Sequence, residues 1–277
     1  MNGGLETIMA AIGYLLAAVF YGKLVIEAPS ANRAAWQTTA RVCGLVGVFL
    51  HTSAIGISCV QNHHTPFATP VDLIAATGWS LALAYLVVEA FMRERPPLAL
   101  GSLAFGLSFL SVFTGSVIHA SLPHRPEASM GMDSAVISLH VMAFLFSFAL
   151  LFLAVGCALI YLFEHRLLKQ KKVVGGLFSR LPPLSTLDGL SFSLVSLAFP
   201  LLTIGLAAGI ITAVSRQLPI ADMHTALSVL TWLSLGVYLY VHATAMERGI
   251  RANYILIVCL VLAVMTHFTQ NMVHHLV

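Results

Sequence analysis

Histidines are the residues of this sequence whose type and placement could do chemistry. There are twelve of them in 277 residues, and His51, His140 and His242 lie among apolar neighbours. Polar side chains inside a membrane are costly and usually functional. Neutral imidazole is the commonest protein metal ligand and also an axial ligand of haem iron. Two histidines on different helices could therefore hold one haem between them.

A second group of histidines, His267, His274 and His275, lies close to the last residue of the sequence. His267 and His274 are seven residues apart and therefore share one face of a helix. Zinc or copper transporters and proton-driven carriers would place acidic residues beside such histidines at the membrane centre. The acids Glu27, Glu89 and Asp72 instead fall at the ends of apolar runs, so the spacing favours haem over ion transport.

The elements that must position these histidines are membrane helices. The chain is 58% hydrophobic and 9% charged, whereas soluble domains carry about 25% charged residues. A spanning helix needs about 20 apolar residues, and eight runs qualify, at roughly 5–28, 38–60, 71–92, 99–120, 134–163, 188–213, 223–246 and 253–273. We predict an all-α, polytopic membrane helix bundle that forms a single domain over residues 1–277. The net charge of +3 gives no reason to expect nucleic-acid binding.

Basic residues predict the orientation of these helices. Twelve Lys and Arg residues fall on one side of the membrane and only Arg125 and Arg216 on the other. Positive residues concentrate on the cytoplasmic side, so both termini are predicted to be extracytoplasmic, in the inner membrane of a bacterium. Ten of the twelve histidines then lie towards the outer side, and His165 and His242 lie nearer the cytoplasm.

The sixth apolar run carries a further pattern. Pro200 falls inside it, and Gly205 and Gly209 follow. Proline kinks a helix, and glycines allow a neighbouring helix to approach closely. The sequence thus predicts a bent, closely packed helix here.

Three stretches of the sequence carry recognisable motifs. One is LIAATGWSLALAYLVVEAFMRERP, at 73–96, and another is the run 134–171, which contains His140. The most specific is LPPLSTLDGLSFSLVSLAFPLLTIGLAAG, at 181–209, with its Pro-Leu-x-x-Leu-Asp and Phe-Pro-Leu-Leu-Thr motifs. Together they resemble a known family, the cytochrome c assembly membrane proteins of the CcsA/HemX type. The first stretch resembles the third helix of that family, and the second resembles the helix that carries an external haem-ligand histidine, here His140.

The family's external tryptophan-rich segment is matched only in part. Asp222, Thr231 and Trp232 fit its frame, but the tryptophans expected before Asp222 are replaced by SRQLPIAD. The resemblance implies that Asp222 and Trp232 contribute to cofactor binding. Because the segment is degenerate, we expect no cytochrome c synthase activity from this chain alone.

The resemblance also implies a set of haem ligands. The family's transmembrane ligand falls at Tyr240, and His242 follows two residues later, as in the shorter HemX/YpjD-like branch. The second external histidine of the family would fall just past the last residue, with His274 and His275 as the nearest substitutes and His267 as another. His51 matches an early transmembrane histidine. The ligands His51, His140, His242 and His274 would then bind b-type haem in bis-histidine sites.

The sequence therefore indicates a haem-handling membrane protein of the HemX/YpjD-like branch, in contact with lipid and with cytochrome c assembly proteins. It would move, hold or sense haem for cytochrome biogenesis or haem homeostasis. An alternative is a regulatory scaffold without haem turnover, because HemX-like proteins are associated with control of glutamyl-tRNA reductase. In that case the segment 164–187 would dock a cytoplasmic partner. A third class, an electron-transfer cytochrome b, would need two stacked haems.

Overall fold

The structure, a computed structural model, describes residues 3–27, 31–62, 70–92, 97–121, 135–170, 181–217, 219, 222–244 and 249–273. These residues form eight helices and no strand. The helices are α1 (Gly3–Ile26), α2 (Arg33–Asn62), α3 (Pro70–Phe91), α4 (Leu98–Ser121), α5 (Ala135–Lys169), α6 (Leu184–Ser215), α7 (Met223–Thr244) and α8 (Gly249–Val273).

All eight helices are long and apolar enough to cross a membrane. Hydrocarbon offers no hydrogen-bonding partner to the main chain, so each spanning segment must satisfy its own backbone groups as a helix. The predicted membrane helix bundle is confirmed, and the chain is a multi-pass membrane protein. The orientation of the termini stays a prediction.

The helices divide into two compact units, α1–α4 and α5–α8, a division that the sequence pattern did not indicate. In the first unit α1 contacts α2 and α4, and α3 contacts α2 and α4. In the second unit α5 contacts α6 and α8, and α7 contacts α6 and α8. Each unit is therefore a ring of four helices in chain order.

The first unit has an aromatic core around Phe105 of α4. The Phe105 ring stacks on Tyr21 at 5.6 Å between centroids and meets Tyr85 edge-on at the same distance. The Tyr14 ring lies 6.0 Å from the Phe105 ring. The carboxylate of Glu89, 1% exposed, is buried beside this core. Such a charge requires partners, and Tyr21 and Arg41 supply them.

The second unit is held together along α5 and α6. The Ser147 hydroxyl of α5 donates to the Ala198 carbonyl of α6 over 2.9 Å. α5 is buried along most of its apolar length, and α6 is one continuous helix that contains Pro200. Towards the end of α6, two glycines face the beginning of α5. This contact forms the candidate site.

Candidate functional site

His140 is held against α6 by a short hydrogen bond. Its Nδ1 lies 2.6 Å from the Gly205 carbonyl oxygen. A carbonyl only accepts, so Nδ1 carries the proton and donates it. In the neutral ring, Nε2 then keeps a free lone pair, which is the form that binds metals. Metal-binding histidines usually donate their other N–H to such an acceptor.

Two glycines on α6 make room for the side chains of α5. A Cβ atom added at Gly209 would lie 2.7 Å from Cε1 and 2.9 Å from Nδ1 of His140. A Cβ added at Gly205 would lie 2.6 Å from Cδ2 of Phe144. His140 and Phe144 are one helical turn apart, as are the two glycines, so the rings lie on the glycine face of α6. The close packing predicted for these glycines is thus observed.

We expect the substitution Gly209→Ala to displace the His140 ring from its position against α6. The added methyl group would overlap an imidazole whose position is fixed by its bond to Gly205, and overpacking typically costs about 1–3 kcal/mol. Gly189→Ala is the matched control on the same helix, because no atom lies within 4 Å of its added Cβ. Thermal unfolding of the purified protein should show a lower midpoint for Gly209→Ala only. Equal midpoints for the two variants would contradict this packing.

The start of α7 lies at the same end of the second unit as His140. The His224 ring of α7 is 6.4 Å from the Phe144 ring. Asp222 caps α7, because its Oδ1 accepts a 2.8 Å hydrogen bond from the Thr225 backbone N–H. Burial raises the pKa of Asp222. The hydrogen bonds from Thr225 and the nearby His224 lower this pKa by a larger amount, so the net shift is downward. Asp222 therefore stays ionised at the positive end of the helix.

The last turns of α8 also reach this end of the unit. α8 begins against α5, where Gly249 contacts the Tyr161 hydroxyl. His267 lies 18 residues after Gly249, or about 27 Å along the helix, and His140 lies 21 residues before Tyr161, or about 32 Å. His140 and the backbone of His267 are thus at similar levels of the bundle. His274 and His275 lie outside the described residues.

His242 lies at the opposite end of the second unit. Its Nε2 is 3.2 Å from Oδ2 of Asp188 on α6, and its ring stacks on Phe192 at 4.4 Å with an interplanar angle of 17°. The ring nitrogen farther from the main chain is therefore taken by a carboxylate. The sequence reasoning missed this pairing, although Asp188 belongs to the Leu-Asp motif singled out above.

His51 belongs to the first unit and is 2% exposed. Its Nδ1 lies 3.2 Å from the Tyr14 hydroxyl oxygen of α1. A hydroxyl can donate or accept, so this contact does not decide which ring nitrogen of His51 carries the proton. Among the described residues, His51 therefore has Tyr14 as a polar partner, which the sequence had not indicated.

His140 and His242 do not lie around one centre. His140 contacts α6 at Gly205, and His242 contacts it at Asp188, 17 residues earlier and about 26 Å away along the helix. These two side chains cannot ligate the same iron atom. Within the described parts of the chain, no three His, Cys, Asp or Glu side chains cluster as they would around a metal ion. A two-histidine haem site involving His140 thus needs its second ligand from another residue.

Trp232 connects two of the sequence motifs. Its indole Nε1 donates to the Thr203 hydroxyl over 2.9 Å, and its ring stacks on Phe199 at 5.4 Å. Phe199 and Thr203 are the first and last residues of the Phe-Pro-Leu-Leu-Thr motif, so this motif and the Thr-Trp pair meet at the α6–α7 contact. A role of Trp232 in cofactor binding stays a prediction, as does that of Asp222.

The segment 164–187, predicted to dock a cytoplasmic partner in the scaffold interpretation, is described only in part. Glu164 is buried on α5, and residues 171–180 lie outside the described residues. The docking role stays a prediction.

These observations define a multi-pass helical membrane protein. In its second unit, His140 is held against the Gly205 and Gly209 face of α6. The chain belongs to the family described as cytochrome C assembly protein, which it matches over residues 69–277. The match includes all of α5–α8. It leaves out α1 and α2, and with them His51.

Two relatives illustrate this membership. The chain is 23% identical over 192 residues to the cytochrome c biogenesis protein CcsA of Chlamydomonas reinhardtii, which covers 68% of this chain and 53% of CcsA. It is 25% identical over 195 residues to the protein HemX of Brevibacillus brevis, 69% of each chain. The chain thus spans about half the length of CcsA, and the family resemblance seen in the sequence motifs is confirmed.

Proposed function

We propose that this protein handles haem at the membrane, in support of cytochrome c biogenesis or haem homeostasis, with His140 as an axial ligand of b-type haem. The observation that supports this role is the 2.6 Å bond from Nδ1 to the Gly205 carbonyl. It leaves Nε2 as the free ligand nitrogen. Membership of the cytochrome c assembly family, with relatives named for cytochrome c biogenesis and as HemX, gives the biological setting.

The residues around His140 would hold the imidazole in place for this task. The Gly205 carbonyl selects the tautomer, and the absence of a side chain at Gly209 lets the ring lie close to α6. The Phe144 ring of the same helix lies 4.8 Å from the imidazole. Haem, when bound, supplies the redox-active iron, while the protein supplies ligation and orientation.

The opposing ligand would come from the end of α8. His267 is on α8 at a level close to that of His140, and His274 and His275 follow it in the sequence. In the orientation predicted from the basic residues, this end of the unit faces the outside of a bacterial inner membrane. Haem would then be held on the outer side of that membrane.

The test is the absorption spectrum of the purified protein after reconstitution with haem. The parent chain should show a Soret band and the spectrum of a low-spin, bis-histidine haem. His140→Ala should lose the low-spin character while still inserting in the membrane and remaining monodisperse. His267→Ala, His274→Ala and His275→Ala should identify the opposing ligand by the same loss.

His165→Ala is the matched control, because His165 lies on the same helix but near its other end, where its ring stacks on Tyr161. Its spectrum should equal that of the parent chain. If His140→Ala keeps an unchanged low-spin spectrum and haem stoichiometry, His140 is not a ligand. A parent chain without a Soret band would overturn haem handling and favour the scaffold that controls glutamyl-tRNA reductase.

A further inference from the structure

The two four-helix units contain the same tryptophan contact. In the first unit Trp79 of α3 donates its Nε1 hydrogen to the Thr52 hydroxyl of α2 over 2.9 Å. In the second unit Trp232 of α7 donates to Thr203 of α6 over 2.9 Å. Both threonines lie 19 residues after the first residue of their helix, and both tryptophans lie nine residues after the first residue of theirs. The agreement in partner, atom and position is difficult to obtain by chance.

The likeness continues along the third helix of each unit. α3 reads WSLALAYLVVE from Trp79, and α7 reads WLSLGVYLYVH from Trp232. In both helices a tyrosine follows six residues after the tryptophan, and a polar side chain follows four residues later. Tyr85 and Tyr238 are fully buried, and Glu89 and His242 are 1% and 7% exposed. Each third helix thus buries the same tyrosine and an ionisable group one turn beyond it.

Each of these buried groups pairs with a side chain of the opposite acid–base type on the second helix of its unit. Glu89 accepts a 3.1 Å hydrogen bond from Arg41 of α2. His242 lies 3.2 Å from Asp188 of α6. Arg41 is eight residues after the start of its helix and Asp188 four residues after, a difference of one turn. In the first unit the base is on the second helix and the acid on the third, and in the second unit this order is reversed. In both units the pair links the second helix to the third.

We infer that the chain is a tandem repeat of one four-helix module, and that Asp188 and His242 form the clasp of the second module, equivalent to Arg41 and Glu89 in the first. The clasp joins the second helix of each module to the third, one turn beyond the buried tyrosine. His242 then serves as the partner of Asp188, and not as an iron ligand. This inference does not depend on haem binding.

The local geometry supports a clasp. Nε2 donates to the carboxylate, and the ring is stacked flat on Phe192, so His242 is fixed from two sides. The nitrogen left over, Nδ1, is the one next to its own main chain. The second carboxylate oxygen, Asp188 Oδ1, is buried without a hydrogen-bond partner among the described residues. An arginine at position 242 could use that oxygen as well, because its guanidinium binds carboxylates through two parallel bonds.

The test is a double-mutant cycle on thermal stability, read together with the haem spectrum. His242→Leu and Asp188→Leu should each lower the unfolding midpoint by roughly 5 °C, because each leaves a buried polar partner unsatisfied. The double variant should recover much of this loss, because both polar groups are then gone. The exposed Lys23–Glu27 pair is the control, and its cycle should show no such recovery.

A second variant keeps the test decisive if the leucine variants do not fold. His242→Arg should retain the parent midpoint and, in a chain that binds haem, the parent low-spin spectrum. Additive losses in the cycle would overturn the clasp. Loss of the low-spin spectrum in His242→Arg, with stability retained, would also overturn it and assign His242 as a ligand. A parent chain that binds no haem would refute the proposed function alone, since the stability cycle is measured without haem.

Discussion

Replacing Glu89 by alanine should cause the largest loss of stability of any single substitution considered. The carboxylate is buried between α1, α2 and α3, where it accepts a 2.6 Å hydrogen bond from Tyr21 and a 3.1 Å bond from Arg41. Its removal leaves the Tyr21 hydroxyl without its acceptor and the Arg41 guanidinium without its counter-charge. Breaking hydrogen bonds to a buried charge and leaving a polar group unsatisfied costs about 3 kcal/mol. The thermal midpoint should fall by roughly 10 °C.

The control for this prediction is Glu27→Ala. Glu27 pairs with Lys23 at 3.7 Å one turn away on the same helix, but its side chain is 56% exposed. Exposed pairs of this kind contribute less than about 1 kcal/mol, so the midpoint should barely move. The measurement is thermal unfolding of both variants in the same detergent. A fall as small for Glu89→Ala as for Glu27→Ala would show that the buried carboxylate does not hold the first unit together.

Gly101→Ala is expected to be one of the damaging small-to-larger substitutions in the first unit. The added Cβ would lie 2.5 Å from the Tyr85 hydroxyl oxygen, 2.6 Å from its Cζ and 3.0 Å from Cδ1 of Tyr21. Tyr85 cannot move aside easily, because its ring is edge-on to both Tyr21 and Phe105 at 5.4 and 5.6 Å. Overpacking of a well-packed core costs about 1–3 kcal/mol, and we expect the upper part of that range.

Gly106→Ala on the same helix provides the matched comparison. No atom lies within 4 Å of its added Cβ, and alanine favours a helix over glycine by up to about 1 kcal/mol. This variant should therefore unfold at the parent temperature or slightly above it, while Gly101→Ala unfolds several degrees lower. The same midpoint for both variants would mean that the tyrosine cluster is less tightly packed than described.

The sequence was sufficient for the number of membrane helices and for the family. Eight apolar runs became eight helices, because a run of about 20 apolar residues can satisfy its backbone in hydrocarbon only as a helix. Their ends were harder to predict. α2 begins at Arg33, whereas the apolar run indicated roughly 38. Apolarity marks only the part of a helix that lies in hydrocarbon, and α2 continues through polar residues beyond it.

The pairing of side chains was decided by the tertiary structure alone. A membrane helix is apolar on all sides, so its sequence does not indicate which face is buried in the protein. The rotation of α5 and α6 about their axes places His140 on Gly205, and the rotation of α6 and α7 places Asp188 on His242. The sequence by itself determined that histidines would lie in membrane helices of a cytochrome c assembly protein. Only the packing of those helices determined that His140 is bound through Nδ1 to a carbonyl and that His242 is bound through Nε2 to a carboxylate.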